Sequence, residues 1–138
     1  MFGSDPLKIP RRFVDCINAR DVSALREVLA NACRIIDARG AWIEGRDLCV
    51  EAVEKFFAME PDYQLHVASM GRAGGNVLIK GHTTASDPLF AATTLWRARS
   101  DGRHLHEWQS YSSQVEVSVT RLVVGEKARI GPYLEESY

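Results

Sequence analysis

The sequence predicts an α+β domain in which helices come first and a mainly antiparallel sheet follows. Apolar residues recur at helical spacing up to Pro61, whereas β-branched and aromatic segments dominate from Tyr63 onward. Helices gathered before strands favour packing of the helices on one face of the sheet. With 138 residues, 46% of them hydrophobic, one domain can bury a sufficient core without disulfide or metal.

Three helices are predicted in the first half of the chain. The first begins near Pro10, the second follows a cap at Asp21, and the third follows a cap at Asp47 and ends before Pro61. Between the second and third helices, residues 33–37 read as a short strand.

Four strand segments are predicted in the second half, at 63–70, 76–85, 91–99 and 103–124. The glycine-rich stretch 71–75 lies between the first two and reads as a hairpin loop, because no helix follows it to bind a phosphate. Alternating valines at 115, 117 and 119 predict that the last strand continues towards the C-terminal tail.

The dipeptide Asp101-Gly102 is the sharpest local signal, since it favours a two-residue hairpin turn. That turn places Trp96 opposite Glu107 on the inner face of the sheet. The same face then holds Thr94, Gln109 and Tyr111, a mixture typical of a half-polar cavity. The outer face holds Leu95 and Trp108, an exposed apolar patch that predicts a homodimer through this face.

Composition and charge argue against several classes of protein. A formal charge of −1 provides no field for binding nucleic acid, and no apolar run reaches the roughly 20 residues of a membrane helix. The start of the chain lacks signal-peptide character, so a cytoplasmic location is expected. The three cysteines form no CxxC pair and are expected to be buried thiols.

Several loose motifs, taken together in order and spacing, carry a family resemblance. They are RFVDCINARD at 12–21, RIID at 34–37, GRD at 45–47 and DGRHLHEW at 101–108. In this combination the chain resembles the nuclear transport factor 2-like superfamily, which includes SnoaL-like cyclases and ketosteroid isomerases. The resemblance covers about residues 10–112. It implies a cone-shaped fold whose sheet and three helices enclose a pocket, and we expect one domain over 1–138. The C-terminal strand extension and tail are not explained by the resemblance.

The resemblance also implies a role for Asp37, which looks like the position of the catalytic carboxylate of ketosteroid isomerases. Their oxyanion hole is replaced here, because Phe13 and Thr94 stand where the isomerases have a Tyr and a protonated Asp. A Phe donates no hydrogen bond and a Thr only a neutral one. Steroid isomerisation by that route is therefore not expected.

The candidate catalytic residues are Asp37 as general base and Glu107 as a second acid or base. The candidate ligand-binding residues combine apolar walls with polar contacts: Phe13, Ile17, Trp42, Phe57, His82, Thr94, Trp96, Gln109 and Tyr111. Each has a structural alternative: Asp37 as a turn cap, Glu107 as a rim carboxylate, His82 as a structural histidine and the apolar residues as ordinary core. No metal site is expected, since the predicted register places Arg97 and Arg99 opposite His106 and His104.

Two functions remain open from the sequence. One is a cofactor-independent isomerase, cyclase or dehydratase-type lyase that acts on a small apolar or conjugated ligand, with Asp37 moving a proton. The other is a non-catalytic ligand-binding or dimeric accessory domain of the same fold. The environment of Asp37 discriminates between them: a carboxylate facing an enclosed cavity favours the enzyme, and one engaged by capping amides favours the binding domain.

Overall fold

Four helices and six strands make up residues 5–131, the part of the chain that the computed structural model describes. The helices are α1 (Lys8–Ala19), α2 (Val22–Val28), α3 (Arg46–Met59) and α4 (Val119–Val124). The strands are β1 (Leu29–Ile36), β2 (Trp42–Glu44), β3 (Gln64–Ala73), β4 (Asn76–Thr84), β5 (Thr93–Ser100) and β6 (Leu105–Tyr111). Short 3₁₀ turns lie at Pro88–Phe90 and Gly125–Lys127.

The six strands form one curled, unclosed sheet in the order β2-β1-β6-β5-β4-β3. Every neighbouring pair is antiparallel except β1 and β6, which run parallel. This confirms the predicted α+β class with helices packed against a mainly antiparallel sheet. None of the helices in the described part of the chain has both the length and the apolar character needed to cross a bilayer.

The helices follow the predicted order, with corrections at their starts. The α1 helix begins at Lys8, two residues before Pro10, and buries one apolar face. Asp21 caps α2 as predicted by accepting a hydrogen bond from the Ala24 amide at 3.0 Å. Gly45, rather than Asp47, is the N-cap of α3.

The β5–β6 hairpin has a different register from the predicted one. Trp96 pairs with Ser110 instead of Glu107, a shift of three positions. Because side chains alternate between the two faces of a strand, an odd shift turns over the β6 side chains from Glu107 to Tyr111. Trp108 therefore faces inward and is buried, and Glu107 faces outward. The predicted outer patch of Leu95 and Trp108 was wrong, since only Leu95 lies on that side.

The cause of the shift is the side chain of Asp101. Its Oδ1 accepts hydrogen bonds from the amides of Arg103 and His104, both at 2.8 Å. These bonds stabilise a loop that extends to His104 and replaces the expected two-residue turn. The Asp-Gly signal located the hairpin but not its length.

The predicted C-terminal strand extension was also wrong. Ser118 accepts a hydrogen bond from the Arg121 amide at 3.4 Å and caps α4, which continues to Val124. Farther on, a β-bridge joins Trp42 and Arg129, with amide-to-carbonyl distances of 3.0 and 2.7 Å. The predicted tail beyond Gly131 lies outside the described residues.

The three cysteines, Cys16, Cys33 and Cys49, are free and buried, as expected. Gly81 marks the closest approach within the sheet. A Cβ there would lie 1.9 Å from the His66 carbonyl oxygen and 3.2 Å from the Trp96 ring. A side chain at this position is therefore incompatible with the local geometry of β3, β4 and β5.

Candidate functional site

A cavity of about 160 Å³ lies between the inner face of the sheet and helices α1, α3 and α4. Its wall is mostly apolar, with Phe13 and Ile17 from α1 and Phe56 and Phe57 from α3. Phe13, Ile17 and Phe57 were candidate ligand-binding residues, and their helical spacing places them on the inward faces of the two helices. The cavity therefore extends into the hydrophobic core and is partly open to solvent.

Aromatic rings form much of the wall. Phe13 packs against Trp108 with ring centroids 4.5 Å apart, and Trp108 lies 6.0 Å from Trp96. Phe56 receives the edges of two rings, those of Tyr63 at 4.7 Å and Phe90 at 5.3 Å. Tilted and edge-to-face contacts between these rings hold the wall in a defined shape.

Asp37 lies in the same wall, at the end of β1, and is 6% exposed. Its Oδ1 accepts hydrogen bonds from the amides of Arg39 at 2.9 Å and Ala41 at 3.2 Å. Its Oδ2 accepts from the Ser118 hydroxyl at 2.6 Å and from Thr120, whose hydroxyl lies at 2.7 Å and whose amide lies at 3.1 Å. A carboxylate offers about four lone-pair sites, so five donors saturate it.

These bonds also position the C-terminal helix. Because Ser118 and Thr120 belong to the first turn of α4 and its cap, Asp37 ties that helix to the end of β1. Val119 and Val123 of α4 line the cavity. The carboxylate thus closes one wall of the cavity, a role that its place in the sequence did not indicate.

The cavity wall contains six of the residues that the sequence singled out for the site: Asp37, Phe13, Ile17, Phe57, Thr94 and Trp96. The other five, Glu107, Gln109, Tyr111, Trp42 and His82, lie elsewhere. Glu107, Gln109 and Tyr111 lie outside because the side chains of β6 point to the opposite face from the predicted one. The half-polar cavity expected from the predicted register was therefore wrong.

Glu107 belongs to an ion-pair network on the outer face of the sheet. It lies 3.0 Å from Arg97, 3.6 Å from Arg99 and 3.8 Å from Arg34, counted between guanidinium nitrogens and carboxylate oxygens. Arg97 also donates to Gln109 at 2.9 Å. Surrounded by cations on the side of the sheet away from the cavity, Glu107 is not placed to act on a cavity ligand.

The remaining three residues have other contacts. The Tyr111 hydroxyl accepts a hydrogen bond from Arg97 at 3.4 Å. The guanidinium group of Arg129 lies over the Trp42 ring, with its central carbon 4.8 Å from the ring centroid. His82 is exposed and stacks on His66, its cross-strand partner, with centroids 4.6 Å apart.

The structure adds wall residues that the sequence did not assign to the site. Trp108 and Ser110 enter through the shifted register, and Val119, Thr120 and Val123 enter through α4. A sequence signal for α4 exists, since Ser118 is a good N-cap residue and Gly125 a good terminator. The alternating valines before it favoured a strand and masked that signal.

Asp37 is the only carboxylic side chain in the described cavity wall, which contains no Lys, Arg or His. Over residues 5–131, no three His, Cys, Asp or Glu side chains gather in a group that could bind a metal ion. The wall thus presents apolar surface and hydroxyl groups to a ligand, and Asp37 contributes its one carboxyl group.

Solved structures share this fold. A proposed polyketide cyclase from Sinorhizobium meliloti superposes with a TM-score of 0.69 and 17% identity, over 79% of this chain and 99% of that one. A hypothetical protein with a ketosteroid isomerase-like fold from Catenulispora acidiphila was solved with trimethylamine. It superposes with a TM-score of 0.68 and 21% identity, over 81% of this chain and 95% of that one. A nuclear transport factor 2-like protein of unknown function from Mesorhizobium loti superposes with a TM-score of 0.65 and 26% identity, over 78% of this chain and 90% of that one.

Curated proteins give no significant match to this chain. The model of one sequence family, the SnoaL-like domain, matches residues 11–124. That span includes all six strands and reaches the end of α4, so it takes in every element that surrounds the cavity. The chain therefore belongs to the SnoaL-like domain family.

Proposed function

We propose that this protein binds a small, uncharged and largely apolar molecule in the cavity between the helices and the inner face of the sheet. The observation that carries the proposal is the cavity itself, lined by aromatic and aliphatic side chains from α1, α3, α4 and the sheet. A concave apolar site with a few polar groups is the usual form of a small-molecule site.

The size of the cavity limits the ligand. Its volume of about 160 Å³ is close to the roughly 150 Å³ of an engineered apolar protein cavity that binds benzene. A single ring with short substituents fits that space.

The charge of the wall limits the ligand further. No cation of the described wall can pair with a carboxylate or phosphate, and transfer of an unpaired anion into such a site is costly. A neighbouring structure supports a small-molecule ligand, because it is a complex with trimethylamine. Conjugated ketones and phenols of one ring are the class we expect.

Acid-base turnover by Asp37 is a second candidate, favoured by the position of its carboxylate in the cavity wall. To accept a substrate proton, Asp37 has to lose one of its five hydrogen bonds, and the hydroxyls of Ser118 and Thr120 are the donors that can rotate away. Binding without turnover is therefore the primary proposal. Turnover of small conjugated ketones, followed by absorbance, separates the two.

The usual Asn substitution is a poor test of that chemistry. Both oxygens of Asp37 accept backbone amides, from Arg39 and Ala41 on one side and Thr120 on the other. The NH₂ group of an Asn has to face one of these donors, so Asp37→Asn also destabilises the fold. A Ser118→Ala variant instead removes one of the five donors and leaves the three backbone amides paired. It raises turnover if Asp37 is the base and leaves it unchanged if not.

Filling the cavity tests the primary proposal. Ala52 lies in the wall on α3, and Ala58 is exposed on the same helix. We expect Ala52→Leu to abolish binding of toluene, measured by calorimetry and by amide chemical shifts, because its side chain occupies the ligand's space. Ala58→Leu is the matched control and retains binding. Binding of neither toluene nor phenol to the wild type, or equal binding of toluene by both variants, refutes the cavity as the site.

We also propose a homodimer through the outer face of the sheet, on a basis different from the predicted one. That face carries Leu78 at 40% exposed, Tyr111 at 37% exposed and the half-buried Leu95. Exposed apolar side chains on a sheet face favour association. Light scattering is expected to give a dimer for the wild type and a monomer for Leu95→Arg. A wild-type monomer at micromolar concentration contradicts the proposal.

A further inference from the structure

Seven polar side chains line the cavity, and most of them are engaged within the protein. They are Asp37, Tyr63, Thr83, Thr94, Ser110, Ser112 and Thr120. A hydroxyl group has one proton to donate and two lone pairs to accept with, so the use of each can be followed through its hydrogen bonds. The hydroxyl protons and lone pairs that form no hydrogen bond within the protein are available to a ligand.

Four hydroxyl groups have already committed their proton. Thr120 donates to Asp37 at 2.7 Å and Thr94 to the Ala92 carbonyl at 3.3 Å. Ser112 donates to the Thr93 carbonyl at 2.9 Å. Thr83 donates to the Phe90 carbonyl at 2.7 Å and accepts from the Ala92 amide at 3.0 Å. The carboxylate of Asp37 is itself saturated.

Ser110 is different, because no residue among 5–131 forms a hydrogen bond with its side chain. It lies on the inner face of β6, directly across from Trp96, and is half-buried. A hydroxyl in a mostly apolar wall is normally satisfied by water or by a ligand. Its proton and both lone pairs are available on the cavity side.

Tyr63 supplies a second available group, as an acceptor. Its hydroxyl lies beside that of Thr83, whose own proton goes to Phe90, so Tyr63 donates its proton there and keeps its oxygen lone pairs for a ligand. Burial raises the pKa of Tyr63, and the phenol stays protonated throughout the physiological range. Edge-on packing against Phe56 fixes the ring.

We infer that Ser110 and Tyr63 are the residues that select and orient a ligand by hydrogen bonding to its polar group, a hydroxyl or a carbonyl. The inference rests on the proposed function, since it assigns specificity within the same cavity. A neutral hydrogen bond is worth about a threefold to tenfold change in affinity. The preferred ligand is then an apolar ring bearing one oxygen, rather than a plain hydrocarbon.

Phenol and toluene test this inference, because they have nearly the same shape and differ in a hydroxyl against a methyl group. We expect Ser110→Ala or Tyr63→Phe to weaken phenol binding about threefold to tenfold while toluene affinity changes less than twofold. Affinities are measured by calorimetry on the full chain. Tyr111→Phe and Ser23→Ala, which make the same changes outside the cavity, are the controls and leave both affinities unchanged.

The results distinguish failure of the roles assigned to Ser110 and Tyr63 from failure of the cavity as a binding site. If wild-type protein binds neither compound, the proposed cavity site fails and the inference fails with it. If toluene binds but the two variants retain wild-type affinity for phenol, the cavity site stands and the inference is overturned. Equal weakening of both ligands in the variants also overturns it, because that result reflects altered packing and not a lost hydrogen bond.

Discussion

Thr120 binds Asp37 twice, through its hydroxyl at 2.7 Å and its amide at 3.1 Å, across 83 positions of sequence. The pair joins the start of α4 to the end of β1. Both side chains are buried, at 4% and 6% exposed, so water does not compete freely for these bonds. The wall of the cavity on this side depends on a polar contact within an apolar core.

Thr120→Val is expected to lower the free energy of unfolding by about 1–3 kcal/mol, because it removes a buried hydrogen bond to a charged acceptor while retaining the shape of the side chain. Urea denaturation measures the loss. Thr93→Val, at an exposed position of β5, is the control and is expected to stay within about 0.5 kcal/mol of wild type. Equal stability of the two variants contradicts the structural role of this contact.

Gly81→Ala is expected to be strongly destabilising, by about 1–3 kcal/mol or more, because its methyl group meets the His66 carbonyl oxygen at 1.9 Å. Gly71→Ala is the matched control on β3 and is expected to be tolerated, because a methyl group there has no neighbour within 4 Å. Thermal unfolding followed by circular dichroism compares them. A Gly81→Ala protein as stable as the Gly71→Ala protein argues against the close approach of β3 and β4.

The order of elements was predictable because it depends on local patterns. Helical spacing in α1 and α3 and the β-rich second half required no knowledge of distant contacts. Asp21 capped its helix as predicted for the same reason. Phe13 and Ile17, which were chosen from helical spacing, line the cavity.

Prediction failed where a side chain decided between nearly equivalent local structures. Asp101 lengthened the hairpin loop through two amide bonds, and the resulting odd shift moved Glu107 out of the site and Trp108 into it. Asp37 was placed correctly at the end of a strand, but its partners Ser118 and Thr120 are remote in sequence. Such long-range contacts leave no periodic signal.

The inward position of Trp108 is open to a direct optical test. Three single-tryptophan proteins, each with Phe at the other two positions, report on Trp42, Trp96 and Trp108 separately. We expect acrylamide to quench the half-buried Trp42 most, since Trp96 and Trp108 are 2% and 4% exposed. Circular dichroism checks that each variant is folded. If acrylamide quenches Trp108 as strongly as Trp42, the Trp108 side chain faces outward and the observed register of β6 is contradicted.

The last prediction concerns pH and the hairpin loop. His106 lies 2.9 Å from Asp101 and, together with the amides of His104 and Arg103, holds the pKa of the Asp101 carboxyl below its usual range. A carboxyl whose pKa is lower in the folded than in the unfolded protein stabilises the fold most fully above the unfolded value of about 3.9. That contribution declines as the pH falls below this value and is lost at the folded pKa.

Asp101→Asn is therefore expected to be less stable than wild type at pH 7, with a difference that narrows as the pH is lowered below about 4. Urea denaturation at a series of pH values measures the difference, and carboxyl carbon shifts follow the titration of Asp101 itself. Asp15→Asn, at an exposed position of α1, is the control for general charge effects. A difference that stays constant or widens towards low pH contradicts the account, because the ionised Asp101 then contributes nothing to the loop that sets the register of β6.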